Sequence, residues 1–336
     1  MRLRFSLLVV VTILLGLWGY FRWLDDRLIV DPVGPEVRVL PYEKYSIENL
    51  TKRSYKPVKI EYGPIIEKAE WGESRMFYYV SEGRRISGIY NEPKFTHMPR
   101  GKVVMARGYV EKDVYKSGMG TRNVAIYFAK NGYETYAPDF SGYGESDKED
   151  ENALGARLVK PVEILDLIAS MSTVRPIYLW GHSNGGQIML TVAEVLGKTK
   201  VGMGDEGGGV WGVQGLTLWA PVSKPFPYNI LYYTDDASDS GKWLRGEIAN
   251  FEKDYDVFKY SIDRYISAIN MPLQIHQGGL DEAVPKKWSD DLVKALREEE
   301  KEVKYFTYPA SDHNMKPTWD SVVARDLEFF AELAKL

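Results

Sequence analysis

The chain has 336 residues, of which 44% are hydrophobic and 27% charged, and its formal net charge at pH 7 is −4. This composition is typical of a folded globular protein, and the mixed charge argues against a nucleic-acid-binding protein, whose surface would carry a basic stripe. The absence of cysteine excludes disulfides, thiolate metal sites and cysteine catalysis.

The N-terminal segment predicts a membrane anchor. Arg2 and Arg4 precede about seventeen mostly apolar residues, Phe5 to Phe21. As a helix this run would measure about 26 Å, against a bilayer core of about 30 Å. It ends in aromatic residues, which suit a membrane interface, rather than in the small residues of a signal-peptidase site. We therefore expect residues 1–24 to anchor the protein through a helix at about 5–21, with the rest of the chain outside the cytoplasm. The alternative is a cleaved signal peptide and a secreted protein.

The remainder of the chain predicts a linker and one large domain. Residues 25–57 are rich in proline and charge without a steady period, which is typical of a linker before a domain that spans 58–336. Within that domain, residues 77–93 predict an antiparallel hairpin around a Glu-Gly turn.

Short apolar strands then alternate with amphipathic helices to the end of the chain. The predicted strands are 102–106, 134–138, 176–180, 216–220, 272–276 and 303–308. This alternation predicts an α/β fold with a mostly parallel central sheet and helices on both faces. Residues from about 222 to 270 are aromatic and acidic and break the alternation. They predict a small cap inserted over the carboxyl edge of the sheet.

One serine lies at a predicted corner between a strand and a helix. The segment Gly181-His182-Ser183-Asn184-Gly185 fits the pattern G-x-S-x-G. At such a corner the serine is exposed with a strained backbone, and glycines two residues away let the strand and helix approach. The apolar strand before the motif and the amphipathic helix after it predict that Ser183 is a nucleophile rather than a turn residue.

A serine nucleophile needs a base and an orienting carboxylate, which follow it in the order acid, then histidine. Of the four histidines, His313 alone lies in a loop after the last predicted strand. His97 precedes the first parallel strand, where a surface role is expected. His182 adjoins the serine and cannot turn back onto it, and His276 lies within a strand, where a core role is expected. The sequence therefore predicts His313 as the base.

Asp281 is the predicted acid because it follows the strand that ends at His276. Asp312 would have to fold back on its neighbour His313. The expected oxyanion donors are the backbone N–H groups of Asn184 and of Tyr109, the latter in the loop after the first parallel strand. The Tyr109 hydroxyl is the alternative donor. This chemistry requires no metal and no organic cofactor.

Five segments together resemble a known superfamily. They are RGYV (107–110), APDFSGYGESD (137–147), GHSNGG (181–186), HQGGLDEAVPKKWSDDLVKAL (276–296) and YPASDHNM (308–315). From about Ile86 onwards the chain resembles the α/β-hydrolases, and among them the catalytic domain of the prolyl oligopeptidase family. The resemblance implies an α/β-hydrolase fold and a serine peptidase that acts on short peptides. Arg107 stands where those hydrolases usually carry histidine.

The β-propeller of that family is missing, because only about 60 residues separate the predicted anchor from the hairpin. A carboxylesterase with a small ester substrate is therefore the alternative to a peptidase, and a non-catalytic binding module is the third hypothesis. Candidate substrate-binding residues are Arg107, Trp219, Phe226 and Tyr232. The further cap aromatics Tyr228, Tyr233 and Trp243 are expected either to line an acyl pocket or to pack the cap onto the sheet.

Overall fold

A computed structural model describes residues 14–23, 39–94, 99–171, 174–199, 212–236 and 238–335. The chain divides into two units, Met1–Pro41 and Tyr42–Leu336. In the first unit, residues 14–23 are helical. The start of the predicted anchor, residues 5–13, lies outside the described residues, as does His97. Among the described residues, no helix is both long and apolar enough to span a bilayer.

The described part of the second unit forms a sheet of nine strands in the order β1-β2-β3-β5-β4-β6-β7-β8-β9. The strands are β1 (Glu61–Ala69), β2 (Gly72–Ser81), β3 (Arg84–Pro93), β4 (Gly101–Ala106), β5 (Tyr133–Pro138), β6 (Ile177–His182), β7 (Val213–Trp219), β8 (Leu273–Gly278) and β9 (Val303–Tyr308). The first three strands are antiparallel, β3 pairs antiparallel with β5, and all later pairs are parallel. The predicted mostly parallel sheet is confirmed.

Strand sequences match their places in the sheet. All six residues of β4 are buried, as expected of a parallel strand that is covered on both faces. The edge strand β1 is largely exposed. Between β2 and β3, Glu82 and Gly83 have φ angles of 50° and 74°, which is the geometry of a type I′ hairpin turn. The predicted hairpin is therefore confirmed, and β1 extends it by a strand that the sequence analysis did not predict.

Helices cover both faces of the sheet. They are α1 (Ile47–Lys52), α2 (Arg122–Lys130), α3 (Ala153–Leu158), α4 (Lys160–Ala169), α5 (Asn184–Lys198), α6 (Tyr228–Leu231), α7 (Lys242–Glu252), α8 (Lys286–Glu298) and α9 (Trp319–Leu333). Alternate residues of β6, Tyr178 and Trp180, join residues of α2 and α9 in one core cluster. Leu179, between them, points to the opposite face. Helices α1 and α4 contact α5, and α5 contacts β6, so α1, α4 and α5 form a second layer.

The predicted linker is shorter than expected. Residues 42–57 belong to the compact unit, because Ile47 and Leu50 on α1 are fully buried. Ser46 caps α1 by accepting a hydrogen bond from the Asn49 N–H. Arg53 forms ion pairs with Glu82 and Asp166, which fixes the segment to the turn between β2 and β3 and to α4. The prediction of a linker up to residue 57 is therefore wrong, since the domain begins at Tyr42.

Residues 222–270 contain α6, α7 and short 3-10 turns. Two of these turns, Ile262–Arg264 and Ile266–Ala268, contact α5 on a face of the sheet. Phe226 packs its ring against Phe251 at 5.8 Å in a buried aromatic cluster. Part of the predicted cap segment therefore lies beside α5 rather than over the carboxyl edge.

A buried polar network joins α9 to the strands. Asp326 and His276 have no exposed side-chain surface, and His276 Nε2 donates to Asp326 Oδ1 at 3.0 Å. The same carboxylate accepts from Thr217 Oγ1 at 2.5 Å and from Trp219 Nε1 at 2.8 Å. Tyr308 lies 2.8 Å from the other ring nitrogen of His276. One carboxylate thereby connects α9 with β7 and β8, and through His276 with β9.

Replacing Asp326 with alanine should destabilise the fold strongly. Asp326→Ala leaves the buried donors of Thr217, Trp219 and His276 without their acceptor. Breaking a buried pair in this way costs about 3–5 kcal/mol. We expect a correspondingly lower urea midpoint, measured by tryptophan fluorescence. Asp320→Ala, at an exposed position of the same helix, is the matched control and should change the midpoint little. Equal midpoints for the two variants would contradict this role for the network.

Candidate active site

Ser183 lies at the corner between β6 and α5 with φ 57° and ψ −122°, a region that side-chain-bearing residues rarely adopt. Three hydrogen bonds hold this backbone. The Ser183 N–H donates to the Trp219 carbonyl at 2.9 Å, and the Ser183 carbonyl accepts from the Val222 and Gly186 N–H groups at 3.0 and 2.9 Å. The strain at Ser183 is therefore fixed mainly by β7 and the residues that follow it.

Two glycines allow the surrounding segments to approach the serine. A Cβ atom at Gly185 would overlap the carbonyl oxygen of Ala106, at the end of β4. A Cβ atom at Gly108 would lie 3.0 Å from Ser183 Cβ and 3.5 Å from Ser183 Oγ. The loop after β4 therefore passes directly beside the serine hydroxyl, and a side chain at position 108 would crowd Ser183.

Asp281 and His313 are brought together by the loops after β8 and β9. His313 Nδ1 lies 2.9 Å from Asp281 Oδ2. The Asp281 side chain has no exposed surface, whereas the His313 side chain is 19% exposed. Burial raises the pKa of Asp281, but hydrogen bonds from His313, Val284 N–H and Ala283 N–H outweigh it and hold the pKa below its usual value. Asp281 is thus an ionised acceptor, which keeps the proton of neutral His313 on Nδ1 and leaves Nε2 free to accept.

Gln277 is a site residue that the sequence analysis missed. Its Nε2 donates to Asp281 Oδ2 at 3.0 Å, the same oxygen that accepts from His313. Its Oε1 accepts from Ser289 Oγ at 2.7 Å, which fixes the orientation of the amide. A polar residue in the fully buried strand β8, four positions before the predicted acid, was the available signal.

His182 contacts the histidine loop. Its Nε2 lies 3.0 Å from the carbonyl oxygen of His313, and the two rings are 4.6 Å apart. Because a carbonyl oxygen only accepts, Nε2 of His182 is the donor and carries the proton. Burial, together with the nearby His313, lowers the pKa of His182 to about 4, so His182 is neutral at pH 7.

The His313 ring is hydrogen-bonded to Asp281, and the His313 carbonyl is hydrogen-bonded to His182. Within the described part of the chain, no hydrogen bond joins His313 to Ser183. In free enzymes the contact between nucleophile and base is often long and shortens only when substrate binds. The structure thus connects the predicted acid to the predicted base directly, and the base to the serine through the neighbouring residue His182.

Both predicted oxyanion donors flank the serine. Asn184 is the first residue of α5, where backbone N–H groups have no acceptor within the helix. Tyr109 follows Gly108 in the loop beside Ser183 Oγ, and its side chain is 63% exposed. This arrangement favours the Tyr109 backbone N–H over its hydroxyl as a donor towards the serine.

Arg107, a predicted substrate residue, is buried and bonded within the protein. Its side chain is 4% exposed, and the guanidinium donates to the carbonyls of Gly108 at 2.9 Å and Asp139 at 3.2 Å. It also lies 4.1 Å from the ring centre of Tyr143 and 4.3 Å from that of Tyr115. Arg107 therefore braces the loop that carries Tyr109. The sequence could not place those carbonyls and rings around it.

Two more of the predicted substrate residues, Trp219 and Phe226, are buried. Trp219 is buried and its N–H is bonded to Asp326, while Phe226 is buried in the aromatic cluster of the insertion. Tyr232 is 40% exposed, and its ring lies 4.7 Å from that of Trp288. The neighbouring Tyr233 hydroxyl donates to the Ala283 carbonyl, beside the Asp281 loop. Of the four candidates, Tyr232 alone keeps an exposed aromatic face. Among the described residues, no group of His, Asp and Glu is arranged to hold a metal ion.

The bond from Gln277 to Asp281 should help to keep the pKa of Asp281 below its usual value. Gln277→Leu removes a donor from Asp281 Oδ2, and with it a hydrogen bond that favours the charged form of the carboxylate. We therefore expect the pKa of Asp281 to rise in this variant, measured by NMR titration of its carboxyl carbon. A hydrogen bond to a charged group is worth about 1.5–3 kcal/mol, which makes the change measurable. Ser289→Ala keeps the donor and is the control. An unchanged Asp281 titration in Gln277→Leu would refute this role.

Comparisons with known proteins agree with this architecture. A family model described as the alpha/beta hydrolase fold matches residues 108–203. Acetyl xylan esterase 1 from a Thermoanaerobacterium species is 15% identical, with 87% of this chain and 93% of that chain covered and a TM-score of 0.59. Est1E from Butyrivibrio proteoclasticus, in a structure with ferulic acid bound, is 18% identical over 77% and 99% of the two chains, with a TM-score of 0.56.

A puromycin-hydrolyzing peptidase from Mycobacterium tuberculosis is 15% identical, with 82% of this chain but 39% of that chain covered and a TM-score of 0.54. No curated protein matches the chain. The family model includes both Gly108 and the Ser183 corner, and each of these solved structures covers most of this chain. The chain therefore has the α/β-hydrolase fold.

Proposed function

We propose that the protein is a serine hydrolase that cleaves an ester or amide bond through an acyl-enzyme. The observation that carries the proposal is the 2.9 Å hydrogen bond between Asp281 and His313, at the sheet edge that also presents the strained Ser183. A strained serine corner alone is compatible with a turn. A buried carboxylate that orients an accessible imidazole beside that corner is what acyl transfer requires.

In the proposed first step, Ser183 Oγ attacks the substrate carbonyl carbon and His313 Nε2 takes the serine proton. Asp281 stays ionised and stabilises the imidazolium. The carbonyl oxygen becomes an oxyanion that accepts hydrogen bonds from the Asn184 and Tyr109 N–H groups. His313 then gives its proton to the leaving alcohol or amine, and the bond to the leaving group breaks.

In the second step, water attacks the acyl-enzyme while His313 takes one of its protons. Collapse of the second tetrahedral intermediate releases the carboxylic acid, and His313 returns the proton to Ser183 Oγ. The same two backbone N–H groups hold the oxyanion in both steps, so one arrangement serves acylation and deacylation. No metal ion or organic cofactor takes part in either step.

Within this proposal, a carboxylesterase is the favoured function. The chain covers 93% and 99% of the two esterases to which it is similar, but only 39% of the peptidase. The exposed ring of Tyr232, beside Trp288, supplies an apolar surface near the Asp281 loop for an acyl or alcohol group. A peptidase like those of the prolyl oligopeptidase family is the second candidate, supported by the motif resemblance and by the likeness to the peptidase.

A fluorophosphonate probe should label the wild-type protein at Ser183. Ser183→Ala should remove the label, because the probe forms its bond with the activated hydroxyl. For an ester that the wild type hydrolyses, we expect His313→Ala to lower kcat by about 10⁶-fold and Asp281→Ala to lower it by about 10⁴-fold. Ser321→Ala, at an exposed serine on α9, is the control and should label like the wild type. Absence of label on the wild type would overturn the proposal.

Paired substrates with one acyl group separate esterase from peptidase. We expect kcat/KM for a p-nitrophenyl ester to exceed that for the matching p-nitroanilide by about a thousandfold or more, which corresponds to about 4 kcal/mol in the barrier. The measurement uses short acyl groups and aminoacyl groups in parallel. Comparable turnover of an aminoacyl anilide and its ester would reject the esterase assignment in favour of the peptidase.

A further inference from the structure

We infer that His182 is a positioning residue, which sets the distance between the Ser183 corner and the His313 loop through the hydrogen bond from its Nε2 to the His313 carbonyl. The inference rests on the proposed serine hydrolase function and adds to it a side chain outside the Ser-Asp-His set. His182 does not exchange a proton with the substrate. It acts through His313.

The topology creates the need for such a residue. Ser183 follows β6, whereas His313 follows β9, three places away in the sheet. Neighbouring strands are about 4.8 Å apart, so the ends of β6 and β9 are separated by about 14 Å. The loop after β9 has to cross the ends of β8 and β7 to bring its imidazole to the serine. The last residue of β6, His182, meets that loop at 3.0 Å.

The loop is internally braced, so fixing one point fixes the rest. The Asp312 carboxylate accepts from the Asn314 and Lys316 N–H groups, each at 2.9 Å, and the Asp312 N–H donates to the Lys316 carbonyl. Near the start of the loop, the Ser311 carbonyl accepts from Leu280 N–H, which joins it to the loop after β8. These bonds make the segment a closed turn with His313 at its centre.

Asp281 and His182 hold His313 from different sides. Asp281 binds the ring at Nδ1 and so decides which nitrogen is left for the serine. His182 binds the backbone of the same residue and stacks at 4.6 Å with a 35° tilt between the rings. His182 is joined to Ser183 by a peptide bond, and its side chain is hydrogen-bonded to His313. His182 therefore links the proposed nucleophile to the proposed base.

The link requires a neutral donor. Titratable groups that face His182 are His313, Asp281 and Asp312. A second cation at 4.6 Å would oppose the imidazolium that forms on His313 during acylation. Burial and the nearby His313 lower the pKa of His182 to about 4, so it stays an uncharged donor throughout the neutral range. A glutamine amide supplies the same uncharged donor at a similar reach, whereas phenylalanine keeps only the ring.

The test compares His182→Gln, His182→Phe and His182→Asn with the wild type. We measure kcat and KM for a p-nitrophenyl ester, the second-order rate of fluorophosphonate labelling, and Tm. Because a small misplacement of a catalytic group can cost about a hundredfold, we expect His182→Phe to lower kcat and the labelling rate by about 10- to 100-fold. KM should stay within about twofold, since His182 does not bind substrate. His182→Gln should restore both rates to within about threefold of the wild type.

The outcomes separate this inference from the proposed function. Without label on the wild type, the proposed function itself fails. If the wild type is labelled and His182→Phe reacts at the wild-type rate, the inference is overturned and the function stands. If His182→Gln is as slow as His182→Phe at an unchanged Tm, the hydrogen bond is not the cause and the inference is also overturned. If His182→Phe has a lower Tm than the wild type, the rates of His182→Gln and His182→Asn are compared instead. The shorter asparagine amide cannot reach the His313 carbonyl, so equal rates for these two variants would overturn the inference.

Discussion

The backbone packing at Ser183 is the constraint on which the rest of the site depends. The end of β4, the loop after it and the start of α5 approach one another so closely that a Cβ atom at Gly185 would overlap Ala106 and one at Gly108 would crowd Ser183. Hydrogen bonds from β7 and the residues after it hold the serine at φ 57°. The position of the hydroxyl is therefore a property of the sheet, and both expected oxyanion donors follow from the same packing.

Beneath the loops, the Asp326 network aligns the strands that deliver Asp281 and His313. His276 lies on β8, five residues before Asp281, and Tyr308 lies on β9, five residues before His313. Because one carboxylate on α9 connects these strands, it helps to hold their carboxyl ends in register with one another. The side chains of this network are paired with one another, and the order that they impose extends to the loops above them.

The sequence predicted the parts of the fold that show a regular period or a complete motif. The alternation of apolar strands and amphipathic helices was sufficient to predict the sheet. The order of the residues in the chain and the small number of histidines were sufficient to predict the pair of Asp281 and His313. It missed β1, whose exposed edge position lacks alternation, and α1, whose two buried residues are too few for a periodic signal. The buried position of Arg107 was not predicted, because one of its acceptors, the Asp139 carbonyl, belongs to a loop 32 residues away that no local pattern reveals.

The serine and the histidine are fixed by different means, and this difference explains the missing contact between them. Ser183 is held by backbone hydrogen bonds and glycine packing, which leave its position almost no freedom. His313 is held by side chains, Asp281 on its ring and His182 on its carbonyl, with the ring partly exposed. The loop itself is closed by backbone hydrogen bonds, so the freedom that remains belongs to the partly exposed ring of His313. In the proposed reaction, this ring is the group that moves a proton first to the leaving group and then to Ser183 Oγ.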